Sequence, residues 1–220
     1  MSEIIEQIKL HNLYMLKTLG FEYSDEIGTN IAKSRLELPS DYDTLHNQIK
    51  SCTLCNLAKS RKNVIISNEF QAPVEVMFIL ENPSRAEDES NSILLGKSGQ
   101  MMSDMITKVL DLELHQVYIT NFIKCRMDTS TTIEEHTIIS CREYILKQIE
   151  LINPKVIVTL GENSYNYLTD DKSELSKIRG HKQDFLDKIL IPTLHPNFLL
   201  RNPSYKKDVM VDMLLVKGEL

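Results

Sequence analysis

Short runs rich in Val and Ile alternate with longer amphipathic stretches from about residue 70 onward. We interpret the short runs as buried strands: Val74–Leu80, Val117–Asn121, Lys155–Leu160 and Ile189–Leu194. Each run ends at a polar or glycine-containing turn, as buried strands of parallel sheets commonly do. The alternation predicts an α/β fold of three layers, α/β/α, in which helices flank a central four-stranded, mainly parallel sheet.

The longer stretches carry apolar residues at helical spacing. They predict helices over Gln100–Leu112, Ile133–Ile152, Asn163–Leu168 and Ser204–Val216. Thr131 precedes the second of these helices, and Glu134 follows three residues later, a spacing typical of a capping box. Residues 1–45 are acidic with a loose apolar stripe, which predicts a helical N-terminal extension to an α/β domain over residues 46–220.

Polar and glycine residues stand where the predicted strands end. They are Glu81-Asn82-Pro83-Ser84, Asn121, Gly161 and His195-Pro196. Because open α/β sheets bind ligands at the carboxyl ends of their strands, we expect the functional groups along this edge.

Composition favours a folded protein, since 42% of the 220 residues are hydrophobic and only 25% are charged. The net charge of −6 counts against a nucleic-acid partner. However, the segment Lys177–Lys207 holds seven Lys and Arg residues against two acids. Such a segment is compatible with contacts to a phosphate backbone and equally with an ordinary solvated surface.

Targeting signals are not evident in the sequence. No stretch reaches the apolar length that spans a bilayer. The first residues lack the basic region and cleavage site of a secretory signal. We therefore expect a cytoplasmic, monomeric protein with no membrane partner, in which cysteines stay reduced.

Four cysteines are present in all: Cys52, Cys55, Cys125 and Cys141. The first two form a C-x2-C motif, whose short turn can present two sulfurs to the same metal. Four thiolates are the ligand set of one 4Fe-4S cluster or of one structural zinc ion. Four unrelated buried thiols are the alternative, although a C-x2-C pair with no surplus cysteine favours a metal site. The spacing does not separate zinc from iron–sulfur.

Several short motifs follow one another from about residue 50 to residue 215. They are Cys52-x2-Cys55-x-Leu57-x3-Arg61, Glu81-x-Pro83, Gly96-Lys97-Ser98-Gly99, Val117–Arg126, Lys155–Gly161, Arg179-Gly180 and Pro192–Arg201. Each motif is weak alone, but the ordered set together with four cysteines resembles the family 4 uracil-DNA glycosylases. The resemblance implies a 4Fe-4S cluster rather than zinc. It also implies DNA containing uracil or another deaminated base as the partner, and hydrolysis of the N-glycosidic bond as the reaction.

The resemblance also assigns roles to side chains at the sheet edge. His195 matches the family's catalytic histidine, which donates to uracil O2, and Asn121 matches the residue that reads the O4/N3 edge. Glu81 and Glu87 match acidic positions of the first motif, one of which orients water or offsets cationic character on the sugar. The alternatives are a satisfied core histidine, a turn-forming asparagine and a surface carboxylate.

Further positions are candidates for DNA contact. Pro83 and Ser84, in the loop after the first strand, are candidates for substrate binding. Backbone amides around Ser84 and at Gly96, Ser98 and Gly99 lead into helices, where phosphates bind. Leu199, Leu200 and Arg201 are candidates for a wedge that fills the gap left by an extruded base, with ordinary core packing as the alternative for both leucines.

Two departures from the family pattern affect the site. The usual Gly-Glu-Ala-Pro-Gly is Leu80-Glu81-Asn82-Pro83-Ser84 here, and we hypothesise that Asn82 places the attacking water. Leu94 replaces the phenylalanine that stacks on uracil, and lost stacking is worth roughly 1–3 kcal/mol. These changes leave open the alternative of a catalytically weak protein that binds damaged or single-stranded DNA. A zinc-stabilised α/β protein unrelated to DNA is a further alternative.

Overall fold

The computed structural model describes residues 38–127 and 133–220. The predicted extension over residues 1–45 therefore falls mostly outside the described residues. The first described helix, α1 (Tyr42–Lys50), begins after Asp41, whose carboxylate accepts a hydrogen bond from the Thr44 N–H at 2.8 Å. This helix runs across the predicted boundary at residue 45.

Five strands form one sheet. They are β1 (Val76–Leu80), β2 (Val117–Asn121), β3 (Val156–Leu160), β4 (Gln183–Phe185) and β5 (Lys188–Thr193). The spatial order is β2-β1-β3-β5-β4, and every pairing is parallel except the antiparallel pair of β4 with β5. The four predicted strands are confirmed, and the fold is α/β as expected. The fifth strand corrects the predicted number: β4 is a short edge strand without an apolar run.

Helices cover the sheet. They are α2 (Arg85–Ser90), α3 (Gly96–Asp104), α4 (Glu135–Ile152), α5 (Glu162–Thr169), α6 (Leu175–Ile178), α7 (Pro196–Arg201) and α8 (Lys206–Lys217). A π-helical turn, Met105–Leu110, continues α3. The predicted capping box is wrong, because Glu134 is itself the N-cap of α4 and its side chain makes no capping bond. Within the described ranges, none of these helices has the length and apolar character needed to cross a membrane.

The core has two halves, one on each face of the sheet. Phe78, for example, packs with the α3 and α8 side chains, whereas its neighbour Met77 packs with those of α4. All five positions of β1, β2 and β3 are buried, as expected for strands covered on both faces. The register pairs Leu80 with Asn121, so the first two strands end at the same level of the sheet.

Candidate active site

A cavity of about 800 Å³ opens at the carboxyl edge of the sheet, where β1 and β5 end. The loop after β1, the first turn of α3 and the short helix α7 form its walls. Eight of the candidate residues line it: Glu81, Asn82, Ser84, Glu87, Ser98, His195, Leu200 and Arg201. The edge predicted from the strand ends is therefore a real concave site.

His195 ends β5 and caps α7. Its Nδ1 accepts a hydrogen bond from the Asn197 N–H at 3.0 Å, and Pro196 supplies the fixed φ angle favoured at a first helical position. Burial lowers the pKa of the imidazole to about 4. Because Nδ1 acts as an acceptor, the single proton of the neutral ring lies on Nε2. The ring is thus a neutral N–H donor at the cavity wall.

Gly161 follows β3 and lies next to His195 at the carboxyl edge of the sheet. Its φ is near +97°, and a Cβ built there would stand 3.4 Å from the His195 Cβ. Its N–H donates to the Thr193 carbonyl at 2.8 Å, which ties the ends of β3 and β5 together. A side chain at this position would strain the backbone because of the positive φ angle, and its Cβ would be in van der Waals contact with the His195 Cβ.

Asn121 lies at the end of β2, and β1 and β3 separate it from β5. It is 1% exposed, and its Nδ2 has no hydrogen-bond partner within the described part of the chain. Asn121 is not among the residues that line the large cavity. Buried donors without a partner cost about 1–3 kcal/mol each and are uncommon, so this amide is a strong candidate for contact with a ligand.

Lys124 holds the backbone at Asn121. Its buried amine donates to the Asn121 carbonyl at 2.6 Å and to the Thr120 Oγ1 at 2.5 Å. The end of β2 is therefore fixed by a side chain from the segment that follows it.

The loop after β1 carries two polar side chains with different partners. Glu81 Oε1 accepts a hydrogen bond from Asn163 Nδ2 at 2.7 Å. Asn82 Nδ2 donates to the Pro83 carbonyl at 3.2 Å, while its amide oxygen has no partner in the ranges that the structure describes. Asn82 thus presents a free acceptor at the cavity. Pro83 is buried and does not line it.

Glu87 uses both carboxylate oxygens inside the loop. Oε2 accepts from the Ser84 N–H and the Ser84 hydroxyl, each at 2.8 Å, and Oε1 accepts from the Leu94 N–H at 3.0 Å. Ser84 caps α2 in return, so the pair forms a capping box. The carboxylate therefore clamps the loop at the cavity wall, and a catalytic role for Glu87 stays a prediction.

Leu94 and Gly99 are in contact below the cavity. Leu94 has a φ of 65° and is not one of the lining residues, and its expected place on the base-stacking wall stays a prediction. A Cβ at Gly99 would stand 1.9 Å from the Leu94 carbonyl oxygen, so only glycine fits there. The Gly99 N–H donates to the Leu95 carbonyl and is not free for a phosphate, unlike the first-turn amides of Gly96 and Ser98.

One of the three predicted wedge residues of α7 does not reach the cavity. Leu199 is 2% exposed and packs in the core, so the core-packing alternative holds for it, whereas Leu200 and Arg201 line the cavity. Sequence reasoning missed Phe198, which also lines the cavity and is 39% exposed. Its position three residues before Arg201, on the same side of a helix, was the available signal.

The cysteine segments meet around Arg61. One guanidinium nitrogen donates to Cys125 Sγ at 3.0 Å, and another donates to the Cys52 carbonyl at 2.5 Å. Burial raises the pKa of the Cys125 thiol, the bond from Arg61 opposes this rise, and the nearby Cys55 and Cys52 add to it. Three of the four thiols are therefore electrostatic neighbours.

Cys141 approaches the same group from α4. Burial raises its pKa to about 12, the nearby backbone N–H and charge of Lys124 oppose the rise, and Cys125 and Cys55 lie near enough to raise the pKa further. Across residues 38–127 and 133–220, no three His, Cys, Asp or Glu side chains are arranged to hold a metal ion.

Comparison with known proteins agrees with these features. The family model of the Uracil DNA glycosylase superfamily matches residues 67–215. A type-4 uracil-DNA glycosylase of Sulfurisphaera tokodaii is 33% identical over 183 residues, which cover 80% of this chain and 83% of the relative. The type-4 enzyme of Thermotoga maritima is 34% identical over 164 residues, covering 74% and 84% of the two chains. The chain therefore belongs to the uracil-DNA glycosylase superfamily and, within it, to the type-4 uracil-DNA glycosylases.

Proposed function

We infer that this protein removes uracil from DNA by hydrolysing the N-glycosidic bond between the base and deoxyribose. The observation that carries the proposal is the imidazole of His195, neutral and with one N–H free, at the wall of a cavity on the carboxyl edge of the sheet. Relatives that share about a third of its residues are named as type-4 uracil-DNA glycosylases.

The substrate must leave the duplex to reach this site. A base within a helix is stacked and paired, and enzymes that act on it rotate the nucleotide outward into a pocket. The cavity of about 800 Å³ is of the size that binds small organic molecules, and it accommodates a nucleotide. Leu200, which lines the cavity, occupies the space that the base vacates.

His195 stabilises the leaving base. As the bond from C1′ to N1 breaks, its electron pair moves into the uracil ring and negative charge develops on O2. An N–H donor aimed at that oxygen binds the transition state better than the ground state. A pKa of about 4 keeps the ring neutral at physiological pH, so His195 donates a hydrogen bond without transferring its proton.

Asn121 reads the opposite edge of the base. Its amide offers a donor for uracil O4 and an acceptor for N3–H. Three strand spacings, roughly 14 Å, separate the ends of β2 and β5, which leaves room for two inward side chains with a pyrimidine between them. The unpartnered Nδ2 supports this role.

Asn82 and Glu81 act on the sugar side. The free amide oxygen of Asn82 holds the water whose oxygen forms the new bond to C1′, and the proton of that water passes to solvent. Glu81, oriented by Asn163, supplies negative charge beside the cationic sugar. Glu87 and Ser84 keep the loop in the shape that presents these groups.

We further propose that Cys52, Cys55, Cys125 and Cys141 hold a 4Fe-4S cluster. The four thiols belong to one electrostatic neighbourhood, and Arg61 bonds the Cys125 sulfur and the Cys52 carbonyl beside it, which supports a common ligand. Thiolates of such a cluster bind separate irons, so they need not converge on one ion as zinc ligands must. When bound, the cluster supplies iron–thiolate bonds that tie the C-x2-C turn to α4 and to the end of β2.

An end-labelled oligonucleotide with one uracil tests the activity. Incubation with protein followed by alkali is expected to cleave the strand at the uracil, and free uracil is expected in the supernatant. An oligonucleotide with thymine at the same place is the matched control and is expected to stay intact. Retention of the DNA on a native gel without cleavage would replace the enzyme with a damage-binding protein.

A further inference from the structure

An exposed aromatic pair stands at the mouth of the cavity. The rings of Phe198 and Tyr205 meet edge to face, with centroids 5.3 Å apart and an interplanar angle of 68°. They are 39% and 44% exposed, although large aromatic side chains are usually well buried. Asn202 Nδ2 donates to the Phe198 carbonyl at 3.1 Å, which fixes the chain between the two rings.

Positive charge surrounds this pair. Arg201, Lys206 and Lys207 come from the same stretch of chain, and Lys97 reaches the cavity from the facing wall at the start of α3. All four side chains are exposed, and none forms an ion pair with any residue in the described ranges. Exposed aromatic rings beside unpaired cations are the usual surface for bases and phosphates of an unpaired strand.

We propose that Phe198 and Tyr205 form a stacking surface for the base that neighbours the extruded uracil on the same strand. The proposal rests on the proposed function, because the extruded nucleotide places that neighbour at the cavity mouth. Phe198 and Leu200 both line the cavity. Leu200 therefore fills the gap that the uracil leaves. Phe198 stacks on the adjacent base, and Tyr205 packs against the edge of the Phe198 ring.

The exposed rings and the positive charges beside them favour a nucleic-acid strand over an apolar protein surface as the binding partner. A protein surface that covered two half-exposed rings would also bury the adjacent cations without counter-charges, which is costly. A strand presents phosphates to those cations and a flat base to the ring at the same time. Arg201 and Lys206 then contact the phosphates on either side of the stacked base.

A double-mutant cycle between protein and DNA tests the proposal. The DNA is single-stranded and carries 2′-fluoro-deoxyuridine, which binds but resists cleavage, with the neighbouring 5′ or 3′ base either present or replaced by an abasic residue. On one of the two sides, loss of the base is expected to weaken binding to the unaltered protein about 5- to 100-fold. The same loss is expected to weaken binding to Phe198→Leu less than about 2-fold, because the ring is already missing.

Matched variants distinguish a loss of stacking from a folding defect and from the loss of a non-specific apolar contact. Phe198→Leu keeps an apolar side chain of similar bulk, while Phe198→Trp keeps an aromatic face and is expected to preserve the effect of the neighbouring base. Leu186→Ala removes another exposed apolar residue, 56% exposed at the turn between β4 and β5, and is expected to change nothing.

The stacking surface would be contradicted if removing the 5′ base and removing the 3′ base each weakened DNA binding equally in the unaltered protein and in Phe198→Leu. It would also be contradicted if neither abasic residue changed the affinity of the unaltered protein. Failure of the proposed glycosylase function would give a different result from failure of the stacking surface. In that case the unaltered protein leaves ordinary uracil-containing DNA intact, whereas the binding cycle on the resistant DNA still reports whether the base and the ring interact.

Discussion

His195 is constrained by one hydrogen bond that serves both folding and chemistry. The bond from the Asn197 N–H starts α7, and it also forces the proton of the ring onto Nε2. Protonation of Nδ1 would break this bond. The pKa of about 4 lies below the ordinary value near 6.5, so the unfolded chain takes up the proton first as pH falls.

The pH dependence of the reaction follows from this shift. Single-turnover excision is expected to stay constant from pH 8 to about pH 5, as far as this group governs it, and to decline as pH approaches about 4. Conformational stability is expected to fall between about pH 6.5 and 4, because the unfolded state binds more protons there. Parallel excision and thermal melting series measure both. A loss of excision centred near pH 6.5 would contradict a buried neutral ring.

Asn82 gives a second residue-scale prediction. Asn82→Ala removes the free amide oxygen that holds water, and single-turnover excision is expected to slow about 10- to 100-fold. Asn82→Asp keeps an oxygen acceptor and is expected to retain more activity than the alanine variant. Binding of DNA with the cleavage-resistant uracil is expected to be unchanged in both variants. An unaltered excision rate in Asn82→Ala would reject the role.

At the scale of elements, the segment after β2 connects two parts of the site. The backbone N–H of Lys124 lies near enough to Cys141 to lower the pKa of its thiol, and the Lys124 amine donates to the carbonyl of Asn121. Cys125, the next residue, is bound by Arg61. The segment therefore links the cysteine group to Asn121, the residue proposed to bind the base.

Lys124→Met tests this connection. The change keeps an unbranched side chain but removes the bonds to Asn121 and Thr120, at a cost of about 1–3 kcal/mol in the free energy of unfolding. Inhibition by free uracil is expected to weaken together with excision, because Asn121 loses its support. Lys155→Met, at an exposed ion pair with Glu75, is the matched control. Unchanged inhibition by uracil in a folded Lys124→Met protein would contradict the connection.

Secondary-structure elements were predicted correctly from the sequence where a run of hydrophobic residues is enough to define them. The apolar runs of β1, β2 and β3 are buried throughout and that of β5 over its last four residues, and all four were predicted closely. The strand β4 was missed because Gln183–Phe185 is held by pairing with β5 rather than by burial. The π-helical turn at Met105–Leu110 preserves an apolar stripe that also fits an α-helix, so the pattern could not distinguish the two.

At the scale of the whole molecule, the positions of the strand ends predicted where the cavity lies but not the role of each side chain in it. The bond from Leu94 to Glu87 and the contact of Leu94 with Gly99 depend on how distant segments pack. Leu199 and Leu200 are both leucines, and only the docking of α7 decides which is buried. The sequence thus predicts the site's location better than the roles of its residues.

The cysteine group gives a prediction at this scale. The purified protein is expected to be brown and to contain iron and sulfide, and Cys125→Ser is expected to lose most of both. A cluster bound by these cysteines would join three segments of the chain, so its removal is expected to lower the melting temperature. Zinc in place of iron in protein prepared without oxygen would reject the cluster and leave a zinc site.

The most direct measurement compares single-turnover uracil release by the unaltered protein and by His195→Ala on the same labelled oligonucleotide. The unaltered protein is expected to release uracil and to leave thymine DNA intact. The variant is expected to be about 100- to 1,000-fold slower at the same level of DNA binding, since one donor to the departing base is gone. Equal rates for the two proteins, or no release by either, would contradict the account.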